Sequence, residues 1–130
     1  MIWKYKIDLV SSSVFNDLEA TRNIIIPEEL RKLIIEANAA SPEKKEILIG
    51  KRERVVGAIL SFNKDEPDVD DIYTALSVVE DKEKLPFAID PAGNYFCLDC
   101  ESDEVVFYNH ETQEYETSGL KLTSFIDSLK

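Results

Sequence analysis

The sequence predicts an α+β fold: a single domain with an antiparallel-rich β-sheet, a meander, covered by helices. Three observations predict it. Leu85–Tyr108 reads as three short strands: Phe87-Ala88-Ile89, then Tyr95-Phe96-Cys97-Leu98, then Val105-Val106-Phe107-Tyr108, with polar turns between them. Two other stretches carry apolar residues at helical spacing, Leu30, Leu33, Ile34 and Ala37 upstream and Leu122, Phe125, Ile126 and Leu129 at the C-terminal end. The strands are also grouped rather than alternating regularly with helices, which favours an antiparallel sheet over a doubly wound parallel one.

In chain order, Ile2–Leu9 alternates partly and is expected as an edge strand, with Lys4 and Lys6 suited to face water. Ser11, Ser12 and Ser13 are candidate caps for a helix running to about Arg22, with Val14, Phe15 and Leu18 as its stripe. After the extended Ile24-Ile25-Ile26, Pro27 opens the clearest helix. A first helical position has no use for an N–H, and Glu28 and Glu29 suit the positive end of the dipole. Ser41-Pro42 closes it.

Ile47-Leu48-Ile49 is expected as a strand ended by Gly50, and Lys51–Arg54 as a solvated basic turn before a strand over Val55–Phe62. Gly57 within that run marks a bulge or a close backbone approach. The loop Asn63–Asp71 holds five acids: Asp65, Glu66, Asp68, Asp70 and Asp71. It is no EF-hand loop: counted from Asn63 or from Asp65, the sixth position is Asp68 or Asp70 and the twelfth Thr74 or Leu76, not the glycine and glutamate that such a loop needs. A short helix over Ile72, Leu76 and Val79 follows, with Asp70 or Asp71 near its cap. In the meander, Pro91 presets φ, Gly93 supplies positive φ, and the Asp90 and Asn94 side chains can bond nearby backbone. A last amphipathic helix is expected over Leu120–Leu129.

Charge is the most informative total. Fifteen basic against 26 acidic residues give −11, and from Leu85 to Leu120 there are eight acids and no Lys or Arg. Such a field repels nucleic acid and draws in a basic protein, though acidity also serves plain solubility. The candidate contacts are the acids of the meander turn, Asp99, Glu101, Asp103 and Glu104, with the five acids of the loop. Tyr95, Tyr108 and Tyr115 are candidate aromatic anchors, with a core role equally open to Tyr95 and Tyr108. No apolar run reaches the ~20 residues of a membrane helix, and the N-terminal stretch is too mixed for a signal peptide, so a cytoplasmic protein is expected.

Catalytic patterns are missing. There is one histidine, no G-x-S-x-G, no G-x-G-x-x-G and no P-loop. Cys97-x-x-Cys100 lies on or after a strand among acids, where a thiol pKa should rise rather than fall, so structural cysteines are expected. A metal site would require His110 to join the two cysteines across neighbouring strands. No cofactor and no enzymatic activity are expected.

LPFAIDPAGNYFCLD followed by EVVFYNHE, together with the upstream Ile24-Ile25-Ile26-Pro27-Glu28-Glu29-Leu30-Arg31-Lys32-Leu33, resembles the SUKH superfamily from about Val14 onward. One departure stands out: Asn38-Ala39-Ala40-Ser41-Pro42 occupies the place where that family often has an Asn-Gly-Gly-like turn. The resemblance implies an immunity protein of the bacterial cytoplasm that binds and neutralises a polymorphic toxin, often a nuclease, without catalysis. Domains resembling this family also occur in intracellular scaffolds and regulators, a second expectation. A metal- or small-ligand-binding protein is a third.

Overall fold

A computed structural model describes residues 1–130. The elements run β1 (Trp3–Lys4), α1 (Ser13–Arg22), α2 (Glu28–Ala37), β2 (Ser41–Pro42), β3 (Glu46–Ile49), β4 (Arg52–Val55), β5 (Ala58–Ile59) and α3 (Ile72–Val78). They continue with β6 (Lys84–Ile89), β7 (Tyr95–Asp99), β8 (Glu104–Asn109), β9 (Glu114–Lys121) and α4 (Leu122–Asp127). The expected α+β architecture is present. Strands β5 to β9 form one antiparallel sheet in sequence order, while β1–β2 and β3–β4 are separate antiparallel pairs.

The three expected strands sit at the sheet's centre as β6, β7 and β8, and alternation along β7 divides its two faces. Phe96 points to the helix side, 5.3 Å from Phe107 and 5.6 Å from Phe125 of α4, and Phe87 reaches the same ring at 6.1 Å. Helix α2 lies beside α4 and adds Leu30, Leu33, Ile34 and Ala37 to the same core. Tyr95 and Cys97 point the other way, toward Asp70, Asp71, Asp81 and Arg22. Arg22 fixes that cover by donating to the carbonyls of Asp81 (2.8 Å) and Val79 (3.4 Å).

Local departures have physical causes. Tyr5 adopts φ +63°, which breaks the extended run, so only Trp3–Lys4 remains as strand against Ser41–Pro42. Pro27 is the cap of α2 rather than its first residue. Of the basic run only Lys51, with Gly50, lies in the turn: Arg52–Val55 pairs with β3, and the Arg54 guanidinium stacks 4.1 Å from the Phe107 centroid. Gly57 ends that hairpin where the chain joins the sheet. Its N–H bonds Ile89 O at 2.8 Å, and a Cβ there would meet the same oxygen at 3.2 Å.

Strand β9 takes Leu120 and Lys121 from the expected last helix, which therefore starts at Leu122. Ala39, in the place of the family glycine, holds φ +61°, so the turn keeps its left-handed geometry with a Cβ in it. The fully buried Asn38 secures that turn, accepting from Phe62 N at 2.7 Å and donating to Ile7 O at 3.0 Å.

Candidate functional site

The acids singled out by the sequence divide between the two ends of the sheet. Tyr95 and Asp99 bound β7, and four steps of about 3.3 Å put its ends roughly 13 Å apart. The loop carrying Asp65–Asp71 lies by the Tyr95 end, where Asp70 and Asp71 are felt by the Tyr95 hydroxyl. The turn Asp99–Glu104 is at the other end. The candidates do not form one site.

At the loop, two of the five acids serve the fold with their carboxylates. Asp71 caps α3, accepting from Thr74 N at 2.7 Å and from the Thr74 hydroxyl at 3.2 Å. Glu66 accepts from Asn63 Nδ2 at 3.1 Å, and Asn63 also ties down Val10 N and Asp8 O. Asp65 and Asp68 are exposed and sit at positive φ, while the exposed Asp70 receives Ser61 N on its backbone oxygen.

At the turn, Asp99 receives Glu101 N (3.0 Å) and lies 3.5 Å from Lys84 Nζ, which also pairs with Asp81 at 3.6 Å. Burial works to lower the Lys84 pKa, but Asp99 and Asp81 outweigh it and hold the ammonium above its ordinary value. Glu104 receives Gly119 N at 2.9 Å, and Asp103, at φ +61°, closes the turn through its N–H to Asp99 O. Charge reversal of all four turn acids would therefore disturb the fold as well as the surface. Glu101 is the exposed one, and its side chain meets Glu83. A hydrogen bond shared with Glu101, then the repulsion between the two charges, pushes the Glu83 pKa up.

Asp81 and Glu83 were missed in the sequence. Antiparallel pairing was the signal: Lys84 lies opposite Asp99, and Cys100 N bonds Glu83 O at 2.8 Å, so residues before β6 flank those after β7. Among the tyrosines, Tyr95 (7 % exposed) and Tyr108 (5 %) are core, which removes them as surface anchors. Tyr115 is half-buried, paired across the strands with Tyr108 at 5.0 Å, and burial raises its pKa.

The thiols are free. Burial raises the pKa of Cys97 and pushes that of Cys100 up to about 11. His110 contacts Ala92 O at 3.0 Å in the turns beyond Tyr95, the end away from Cys100, so the three do not converge. No group of three or more His, Cys, Asp or Glu is arranged to hold a metal ion.

Residues 13–126 match the sequence-family model described as SMI1-KNR4 cell-wall, a SUKH family. The chain belongs to the SUKH family. The match begins at α1 and ends within α4, so the SUKH unit includes the whole five-stranded sheet and both acidic ends. No curated protein matches the chain. No helix is long and apolar enough to cross a membrane.

Proposed function

We propose that this SUKH chain is an immunity-type protein of the cytoplasm that binds a basic toxin domain, a nuclease foremost, and neutralises it by occupying its cleft. The reading is non-catalytic: inhibition is stoichiometric and needs no cofactor. The observation that carries it is the run Leu85–Leu120, eight acids without a Lys or Arg, in a chain of the SUKH family. A nuclease cleft is basic because it holds phosphates, and a dense negative surface both attracts and blocks it.

Co-expression with the toxin-like product of a neighbouring gene tests the reading. Growth should be rescued, the two proteins should co-purify, and association should slow steeply with added salt while dissociation changes less. Failure to protect against any neighbouring gene product would remove the immunity reading. The family description names cell-wall proteins and so favours a second reading, a scaffold or regulator with the same fold. Co-purification with a housekeeping protein and no toxin gene nearby would support that one.

A further inference from the structure

Between the α1–α2 linker and the start of β6 lies a groove of about 440 Å³, lined by Asn23, Ile24, Ile25, Glu83, Cys100 and Glu101. Its apolar wall is Ile25, 80 % exposed although Ile26 beside it is 2 % exposed. That wall is held firmly. Asn23 caps α1 at φ +54°, Ile24 N bonds Glu19 O at 3.3 Å, and Ile26 N bonds Glu19 Oε2 at 2.8 Å. Arg31 locks the same carboxylate at 2.7 Å and bonds Ile26 O at 3.3 Å. An aliphatic side chain is thus carried into water on a hydrogen-bonded backbone.

The opposite wall is Glu83 and Glu101, two carboxylates facing one another. Two of the cations nearby are held by other groups: Lys84 lies between Asp81 and Asp99, and Arg22 is spent on two backbone carbonyls. Glu83 holds its proton more tightly than an ordinary glutamate because Glu101 shares it and repels the bare charge. An incoming cation between the two carboxylates would relieve that repulsion.

We propose that this groove receives an arginine side chain of the partner protein, its aliphatic stem along Ile25 and its guanidinium between Glu83 and Glu101. The proposal rests on the reading of a basic protein partner and names where that partner is gripped. Arginine fits better than lysine because its planar fork offers donors to two carboxylates at once, and its weakly hydrated head and long stem suit a wall that is half apolar. A wall already ordered also loses little freedom on binding.

The test is an amide-resonance titration of the full chain with N-acetyl-arginine amide, using N-acetyl-citrulline amide as the uncharged isostere. Saturable shifts are expected at Asn23, Ile25, Glu83, Cys100 and Glu101, with none at Asp65–Asp71 and none from citrulline. Glu83→Gln/Glu101→Gln should abolish saturation, and Ile25→Ser, which leaves the charges intact, should weaken it several-fold. Shifts spread evenly over every acidic segment, no saturable response, or a full response in the double Gln variant would overturn the proposal. The underlying reading fails separately. A wild type that protects cells, with the double variant protecting equally, removes the groove alone; a groove that binds the probe in a protein that protects against nothing removes the immunity reading alone.

Discussion

The acidic loop Asn63–Asp71 and the acidic sheet end around Asp99–Glu104 look alike in the sequence and differ in what their carboxylates do. In the loop, Asp71 and Glu66 spend their oxygens on the protein's own N–H groups. At the sheet end, Asp99 and Glu104 do the same, but Glu101 and Glu83 meet each other across a groove with an exposed isoleucine. Negative charge is thus a property of both regions, while unmatched charge beside an apolar wall belongs to one. Both regions keep exposed acids, Asp65, Asp68 and Asp70 in the loop and Glu83 and Glu101 at the sheet end, so the difference between them is the exposed Ile25 that lines the groove with the second pair.

Removing the anchor of the loop should have the largest effect on stability. Asn63 is 4 % exposed and joins Val10 N, Asp8 O and Glu66. Asn63→Ala removes three side-chain hydrogen bonds made from a buried position, for an expected loss of about 2 kcal/mol in urea unfolding, with the Glu83–Glu101 groove unchanged. A loss no larger than that of an ordinary surface substitution would mean the loop does not depend on this anchor.

The strand between the two regions can be probed by alkali. Cys97 has its pKa raised by burial, from an ordinary 9.0, so the unfolded chain ionises first. Its contribution is intact below pH 9 and is lost as pH rises beyond it, at about 1.4 kcal/mol per pH unit, with Tyr115 adding to the fall above pH 10. Urea midpoints from pH 8 to 11 should show this decline, and Cys97→Ala should make it shallower, from a lower starting stability, with Cys100 and Tyr115 carrying what remains. A flat profile in the wild type would mean that the Cys97 side of the sheet admits water.

The cap within the loop comes next. Asp71→Ala should cost about 1 kcal/mol by loss of the Thr74 bond, and leave partner binding intact. Glu101→Gln should show no loss of stability at all, because the neighbouring carboxylate loses a repulsive partner. Equal destabilisation by the two substitutions would erase the distinction between the regions.

The centre of the fold was legible because each of its signals is local. Asp90-Pro91-Ala92-Gly93-Asn94 turns the chain by its own chemistry, with Asp90 Oδ1 receiving the N–H groups of Ala92 (2.9 Å) and Asn94 (2.7 Å). The stripes of α2 and α4 follow the helical period. Strand β9 was not legible. Its partly inward Glu116 faces Arg54, and Ser118 and Gly119 form an irregular stretch, so no apolar alternation marks it. Strand β4 was hidden in the same way, since Arg54 reads as a solvated charge and is in fact stacked on Phe107. The candidate acids were legible as residue types, but their separation was not. Which acid bonds its own backbone, and which end of β7 it occupies, depends on pairing among β6, β7 and β8. Ile25, adjacent in sequence to two less exposed isoleucines, gave no sign that it alone faces water.

The central claim is that the partner is held at the Glu83–Glu101 end and not at the loop. It is tested most directly by association and dissociation kinetics of the purified chain with a basic toxin domain that co-expression has identified as its partner. Two variants, each removing two negative charges, are compared: Glu83→Gln/Glu101→Gln and Asp65→Asn/Asp68→Asn. The expected result is roughly a tenfold or greater loss of affinity for the first, largely through faster dissociation, and a change of about twofold or less for the second. Equal losses in the two, or a larger loss from the loop variant, would contradict it.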